Sequence, residues 1–108
     1  MQIPKQNKYK AQPTWVDGIR FASKREAKRY SELKLLETAR KITCLERQKR
    51  YALTVIETPI GHYVADFMYI DMDTGERVVE DTKGFRTPLY KWKKRHFEAQ
   101  YGIPIKET

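Results

Sequence analysis

Cysteine is almost missing from this chain. Cys44 is the only one, so no internal disulfide can form and no cysteine-based zinc cluster can assemble. A lone thiol suits a reducing compartment, and the cytoplasm is the expected location. Long apolar runs are missing too. No stretch approaches the roughly 20 apolar residues of a membrane-crossing helix, and the start MQIPKQNKYK has no apolar signal-peptide core. No membrane partner is expected. Acids are outnumbered, 14 against 22 lysines and arginines, leaving a net charge of +8 and a preference for polyanionic partners.

Aromatic residues, by contrast, are well represented. Seven tyrosines, four phenylalanines and two tryptophans give one domain of 108 residues a workable core. The charge is segregated along the chain. Residues 57–81 hold seven of the fourteen acids and a single lysine or arginine, Arg77, while bases crowd residues 20–29, 40–50 and 86–95. An acidic centre inside a basic shell suits a cation site that handles a polyanion, and the interleaved aromatics favour nucleic acid. A solvated surface without a partner is the plainer alternative.

Residues 1–12 are polar and carry Lys5, Lys8 and Lys10, which predicts a loose basic tail ahead of a single domain over 13–108. Residues 14–21 predict a small hairpin turning at Asp17-Gly18. Ser23 and Glu26 have the spacing of a capping box that opens a helix to about Arg40, with Ala27, Tyr30, Leu33 and Leu36 as its buried stripe. Glu26 shares that face, so a cap and a functional acid both stay open for it. Residues 42–45 and 51–56 are expected as short strands on either side of the basic stretch Glu46–Arg50, and Thr58-Pro59-Ile60-Gly61 as a turn. Gln48 could assist a water or be a plain exposed glutamine. Thr87-Pro88 opens a second helix that ends at Gly102, with Leu89, Trp92 and Phe97 toward the core. Ile103–Ile105 suggests a last short strand. His62 and His96 lack ligand-spaced partners.

The chain is organised around residues 64–84, VADFMYIDMDTGERVVEDTKG. Alternation predicts a strand over 62–70 with Val64, Asp66, Met68 and Ile70 on one face, a turn at 71–76, and a return strand over Arg77–Lys83. On the return strand Val79, Asp81 and Lys83 share a face, and Val78, Glu80 and Thr82 take the other. Carboxylates among apolar strand residues need compensation by hydrogen bonds or a cation, and a hard divalent cation suits a pair of them. An Asp-x-Lys ion pair is the plain reading of the same residues.

A helix bearing an acid, antiparallel strands bearing Asp and then Asp-x-Lys, and a basic helix follow one another in this order. The stretches VDGIRFASKREAKRY, YVADF and VVEDTKGF together resemble the PD-(D/E)XK nuclease superfamily, in a small phage-encoded, junction-resolvase-like branch long catalogued as a domain of unknown function. The resemblance spans about Thr14 to Tyr101. It implies an α/β, restriction-endonuclease-like core: a small, mostly antiparallel mixed sheet flanked by two main helices. It implies catalysis by Glu26, Asp66, Asp81 and Lys83, and Mg²⁺, replaceable by Mn²⁺, held by Asp66, Asp81 and the Thr82 carbonyl, with Glu26 a further ligand. Ala65 stands where the motif's proline would be. Glu80 adjoins Asp81, and alternation selects Asp81 because it shares a face with Lys83.

The implied activity is hydrolysis of DNA phosphodiesters in branched or recombination DNA, by a homodimer in the host cytoplasm. Lys24, Arg25, Arg47, Lys49, Arg86, Lys91, Lys93, Lys94 and Arg95 are the expected phosphate contacts. A non-catalytic DNA-binding protein of the same fold and an RNA-processing nuclease are the alternatives.

Overall fold

The computed structural model describes residues 13–108, so the basic tail expected over 1–12 lies outside the described residues. The chain first forms the small hairpin of β1 (Thr14–Val16) and β2 (Ile19–Phe21). Asp17 and Gly18 turn it with φ of 51° and 75°, the left-handed pair a two-residue hairpin needs. Helix α1 (Lys24–Thr38) starts where Ser23 Oγ accepts the Glu26 N–H at 3.2 Å, and it buries Glu26, Ala27, Tyr30 and Leu33. Leu36, expected in that stripe, lies on its exposed edge.

Two long strands follow, β3 (Ile42–Val55) and β4 (Thr58–Asp71). The basic stretch Glu46–Arg50 is therefore strand and does not separate two short ones. Solvent on one side of the ladder accommodates its exposed positions, Glu46, Gln48 and Arg50. The turn between the strands is Ile56-Glu57, with φ of 44° and 66°, while Thr58, Pro59, Ile60 and Gly61 belong to β4. Pro59 is tolerated because β5 (Arg77–Asp81) pairs only with Phe67–Ile70, leaving the first part of β4 an edge on that side. The 71–76 turn forms as expected: Asp71 Oδ1 accepts the Asp73 N–H at 2.8 Å, and Gly75 has φ of 74°.

Helix α2 (Pro88–Tyr101) begins with Thr87 Oγ1 accepting the Tyr90 N–H at 3.0 Å and ends at Gly102 with φ of 69°. It crosses to β6 (Ile105–Glu107), which pairs in parallel with β5. The architecture is α/β: a mostly antiparallel four-stranded mixed sheet in the order β3-β4-β5-β6, two helices, and the two-stranded hairpin.

Each helix covers its own cluster. On the α2 side Tyr90 and Phe97 pack with Tyr51, Leu53, Tyr63, Ala65, Met68, Val79 and Ile105. On the α1 side Ala27, Tyr30 and Leu33 pack with Phe21, Ile42, Phe67 and Tyr69. Leu89 and Trp92, expected in the core, are 60% and 51% exposed. The expected common face of Val64, Asp66, Met68 and Ile70 is also broken. Ala65 belongs to the α2 side and Phe67 to the α1 side, so β4 changes phase at Asp66. Opposite it, Gln48 of β3 has φ of 51°, and the register runs Arg47 to Phe67 and Lys49 to Ala65 around the two of them.

Candidate active site

The acids singled out by the sequence meet where the β4–β5 ladder stops. Its last pair is Phe67 with Glu80, so Asp66 and Asp81 stand just past it on neighbouring strands. Asp66 Oδ2 accepts a 2.8 Å hydrogen bond from the Thr82 N–H. Thr82 and Lys83 follow β5 instead of extending it, which corrects the expected strand over Arg77–Lys83. Once Asp66 takes the Thr82 amide, that N–H is lost to the ladder.

Asp81 is 1% exposed and points to the α2 side with Val79. Its Oδ2 accepts the Tyr63 hydroxyl at 2.5 Å. Its Oδ1 lies 3.0 Å from Lys83 Nζ but makes no hydrogen bond among the described residues. The ammonium is close but out of line for a hydrogen bond, so the contact is Coulombic. Lys83 Nζ also sits 4.4 Å from the centre of the Tyr90 ring, a cation–π contact that steadies the side chain.

Glu26 reaches this region from α1. The cap forms in one direction only, because the Glu26 carboxylate turns to β3, where its Oε1 accepts Gln48 Nε2 at 3.3 Å. Gln48 is exposed, as a plain strand glutamine would be, and yet it holds Glu26. Electrostatics join the three acids. Asp66 is pushed up to about 7, first by burial and then by the charges of Asp81 and Glu26, against the Thr82 N–H and Lys83. Burial likewise raises Glu26; Arg47 opposes it and Asp81 adds to it. Burial and the Asp81 charge push the Tyr63 hydroxyl far up, so it stays a donor.

Among the described residues no group of three or more His, Cys, Asp or Glu side chains converges to hold a metal ion. A pair does fit one. Asp66 and Asp81 repel each other in a buried setting, and Asp81 Oδ1 is a buried acceptor without a hydrogen bond among the described residues. Two carboxylates, a backbone carbonyl such as that of Thr82, and waters form a donor set that a hard divalent cation accepts.

Asp81 and Lys83 open onto a shallow cleft of about 250 Å³, walled by Tyr63, Tyr90, Leu89 and Lys93. Glu26 and Asp66 do not line it. The expected phosphate contacts are scattered around the fold. Lys24 and Arg25 are exposed at the start of α1, and Lys91 and Arg95 on α2. Lys49 lies 3.6 Å from Glu46. Arg86 and Lys94 meet Glu107 at 2.9 Å and 3.6 Å. Arg47 is half-buried, its guanidinium 4.5 Å from the centre of the Phe21 ring.

Three supporting residues carry no signal in the sequence. Tyr63 fixes Asp81, and Arg29 and Tyr69 both bond Glu80. Alternation sends Glu80 to the α1 side, as observed, but nothing in the order of residues names its partners.

A family model described as "Protein of unknown function (DUF1064)" matches residues 6–104. The chain belongs to this family. No curated protein and no solved structure matches it. In this DUF1064 chain the matched span takes in all four residues of the predicted catalytic set, Glu26, Asp66, Asp81 and Lys83.

Proposed function

We propose that the chain is a divalent-metal-dependent endodeoxyribonuclease of the PD-(D/E)XK type, acting on branched DNA such as a four-way junction. One observation carries the reading: the buried Asp81 carboxylate, with an oxygen free of hydrogen bonds among the described residues, is paired with Lys83 at the floor of a cleft with a basic wall. Leaving a buried acceptor unbonded costs about 1–3 kcal/mol, and DNA binding alone gives no reason to keep one.

Asp66, Asp81 and the Thr82 carbonyl would hold Mg²⁺, with Mn²⁺ able to substitute. When bound, the cation supplies Lewis acidity and a water of lowered pKa. The chain's own residues do the positioning. Tyr63 holds Asp81 Oδ2 and leaves Oδ1 to the cleft side, and the Thr82 N–H holds Asp66 Oδ2. Lys83, steadied over Tyr90, brings a positive charge to where charge builds on the phosphate. Lys93 and the N-terminus of α2 present positive charge along the same cleft. Glu26 adds a third negative charge to the field of the pair. One chain carries one such centre, so cutting two strands calls for a homodimer.

A panel of linear, flapped and four-way DNA with Mg²⁺ or Mn²⁺ tests the reading. Wild type should cut at least one branched substrate, and Lys83→Ala should bind it without cutting. Intact DNA across the panel with both metals would leave a DNA-binding protein that lacks the chemistry.

A further inference from the structure

Trp92 is a large aromatic that the core does not use. Helix α2 buries Tyr90 and Phe97, yet Trp92 is 51% exposed and Leu89, one turn earlier, is 60% exposed. Residues three, four and seven apart share a helix face, so Leu89, Trp92, Lys93 and His96 form one strip. The strip begins in the cleft, where Leu89 and Lys93 line the wall with Asp81 and Lys83. Its far end is braced. The His96 ring lies 5.4 Å from that of Trp92, and its Nε2 is 2.9 Å from the Thr54 carbonyl oxygen. The indole is thus supported on one side and open on the other.

The surroundings say what can lie on the open side. Lys91, Lys93 and Arg95 flank the ring, Lys94 turns away to Glu107 at 3.6 Å, and the one acid of α2, Glu98, is occupied in accepting the Ile105 N–H at 2.8 Å. A protein surface covering this strip would have to neutralise three cations while matching one flat ring. A polynucleotide strand supplies both features, phosphates for the cations and a base face for the indole. Bases of a duplex keep their faces stacked inside, so the matching nucleotide is unpaired.

We propose that Trp92 is a stacking platform for an unpaired base of a DNA strand whose phosphates lie along Lys91–Arg95. The strand's continuation into the cleft at Asp81 rests on the nuclease reading, but the platform does not. With that reading, the substrate class narrows to DNA with unpaired nucleotides beside the cut: a flap, a gap or an opened junction.

Trp15 is the only other tryptophan and is 66% exposed, so Trp15→Phe makes Trp92 the sole indole emitter. In EDTA, where no cleavage is at stake, an oligodeoxythymidine should quench this emission to saturation, and a duplex of equal length should not. Trp92→Ala should weaken single-strand binding by about fivefold or more, the lower end of a base–aromatic stack. Trp92→Phe should restore most of it, and duplex affinity should stay put in both. Absent quenching, equal loss for single strand and duplex, or an emission change with protein concentration before DNA is added would each overturn the platform, the last by assigning the strip to a second copy of the chain. The quenching experiment leaves Trp92 in place, so it holds whether or not Trp92→Ala folds. Loss of cleavage with quenching intact would count against the nuclease alone.

Discussion

Arg29 grips Glu80 at both carboxylate oxygens, Nε to Oε1 and a terminal nitrogen to Oε2, each at 2.8 Å. The Tyr69 hydroxyl adds a third bond to Oε2. Glu80 is fully buried and Arg29 largely so, which makes this bidentate pair the polar bolt between α1 and β5.

Glu80→Gln should therefore be strongly destabilising. It removes the buried counter-charge of the Arg29 guanidinium and leaves only the exposed Glu32, at 3.2 Å, a loss of up to about 3–5 kcal/mol. Denaturant melts should show it, and the Arg29→Met/Glu80→Leu double variant should recover much of the loss, because apolar replacement of a whole buried pair is close to neutral. Equal stability of Glu80→Gln and wild type would mean that the bolt carries no load.

Asp66→Asn should move stability and activity in opposite directions. An amide oxygen can still accept the Thr82 N–H, and repulsion from Asp81 and Glu26 disappears. In EDTA the melting point should rise, by about 4–8 °C for each kcal/mol relieved in a domain of this size. Cleavage should vanish. A melting point below wild type would show that the acids do not repel in the folded chain.

Glu26→Gln separates a charge from a hydrogen bond. Gln can accept the Gln48 amide as Glu does, and the Ser23 cap uses only the backbone N–H of residue 26. Melting should stay level or rise, because burial already disfavours the Glu26 charge, and cleavage should fall by orders of magnitude. Near-native turnover by the folded variant would confine the site to Asp66, Asp81 and Lys83.

Ile56 and Glu57 both carry positive φ at the tip of the β3–β4 hairpin, where an L-residue, and above all a β-branched one, is strained by about 1–2 kcal/mol each. Ile56→Asn with Glu57→Gly should raise stability by about that much in a thermal melt. The same residues explain why the sequence misleads here. Its turn chemistry points to Thr58–Gly61, and two residues with no turn preference make the bend. Legibility followed local chemistry elsewhere too. Ser23, Thr87-Pro88, Gly102, Asp17-Gly18 and Asp71 each solve a hydrogen-bond or φ problem within a few residues, and each was readable. Alternation paired Asp81 with Lys83, and the two do meet, but β5 ends at Asp81, so it is the chain leaving the strand that brings Lys83 back to it. Arg29 with Glu80 lies 51 residues apart, and the exposure of Trp92 depends on how α2 rolls on the sheet; neither is encoded within a few residues.

Glu107 gives the fold a predictable acid limb. Arg86, first, and then the Tyr90 hydroxyl hold its carboxyl down at about 2, below the ordinary 4.5. A carboxyl depressed on folding contributes stability that is complete above its unfolded pKa and lost as pH falls through the folded one. Stability should decline from about pH 4.5 toward pH 2, and Glu107→Gln should flatten that part of the profile. Superimposable profiles would show that solvent screens the pair.

The change of phase at Asp66 has a counterpart at Gln48, and at this level, unlike the register shifts at Thr43/Glu46 and Leu53/Thr54, the irregularity is symmetrical. Remove both residues and Arg47 would adjoin Lys49 while Ala65 adjoined Phe67, restoring unbroken alternation with the register already in place on either side. In this sense the stretch between the ladder's two register shifts, residues 46–53 against 61–68, is a regular scaffold into which each strand has spliced one surplus residue at the same level, and those two residues carry the bonds to Glu26 and Thr82. A chain lacking both should still fold as the bare scaffold, keeping the Asp81–Lys83 pair but losing Asp66 and the bond that holds Glu26.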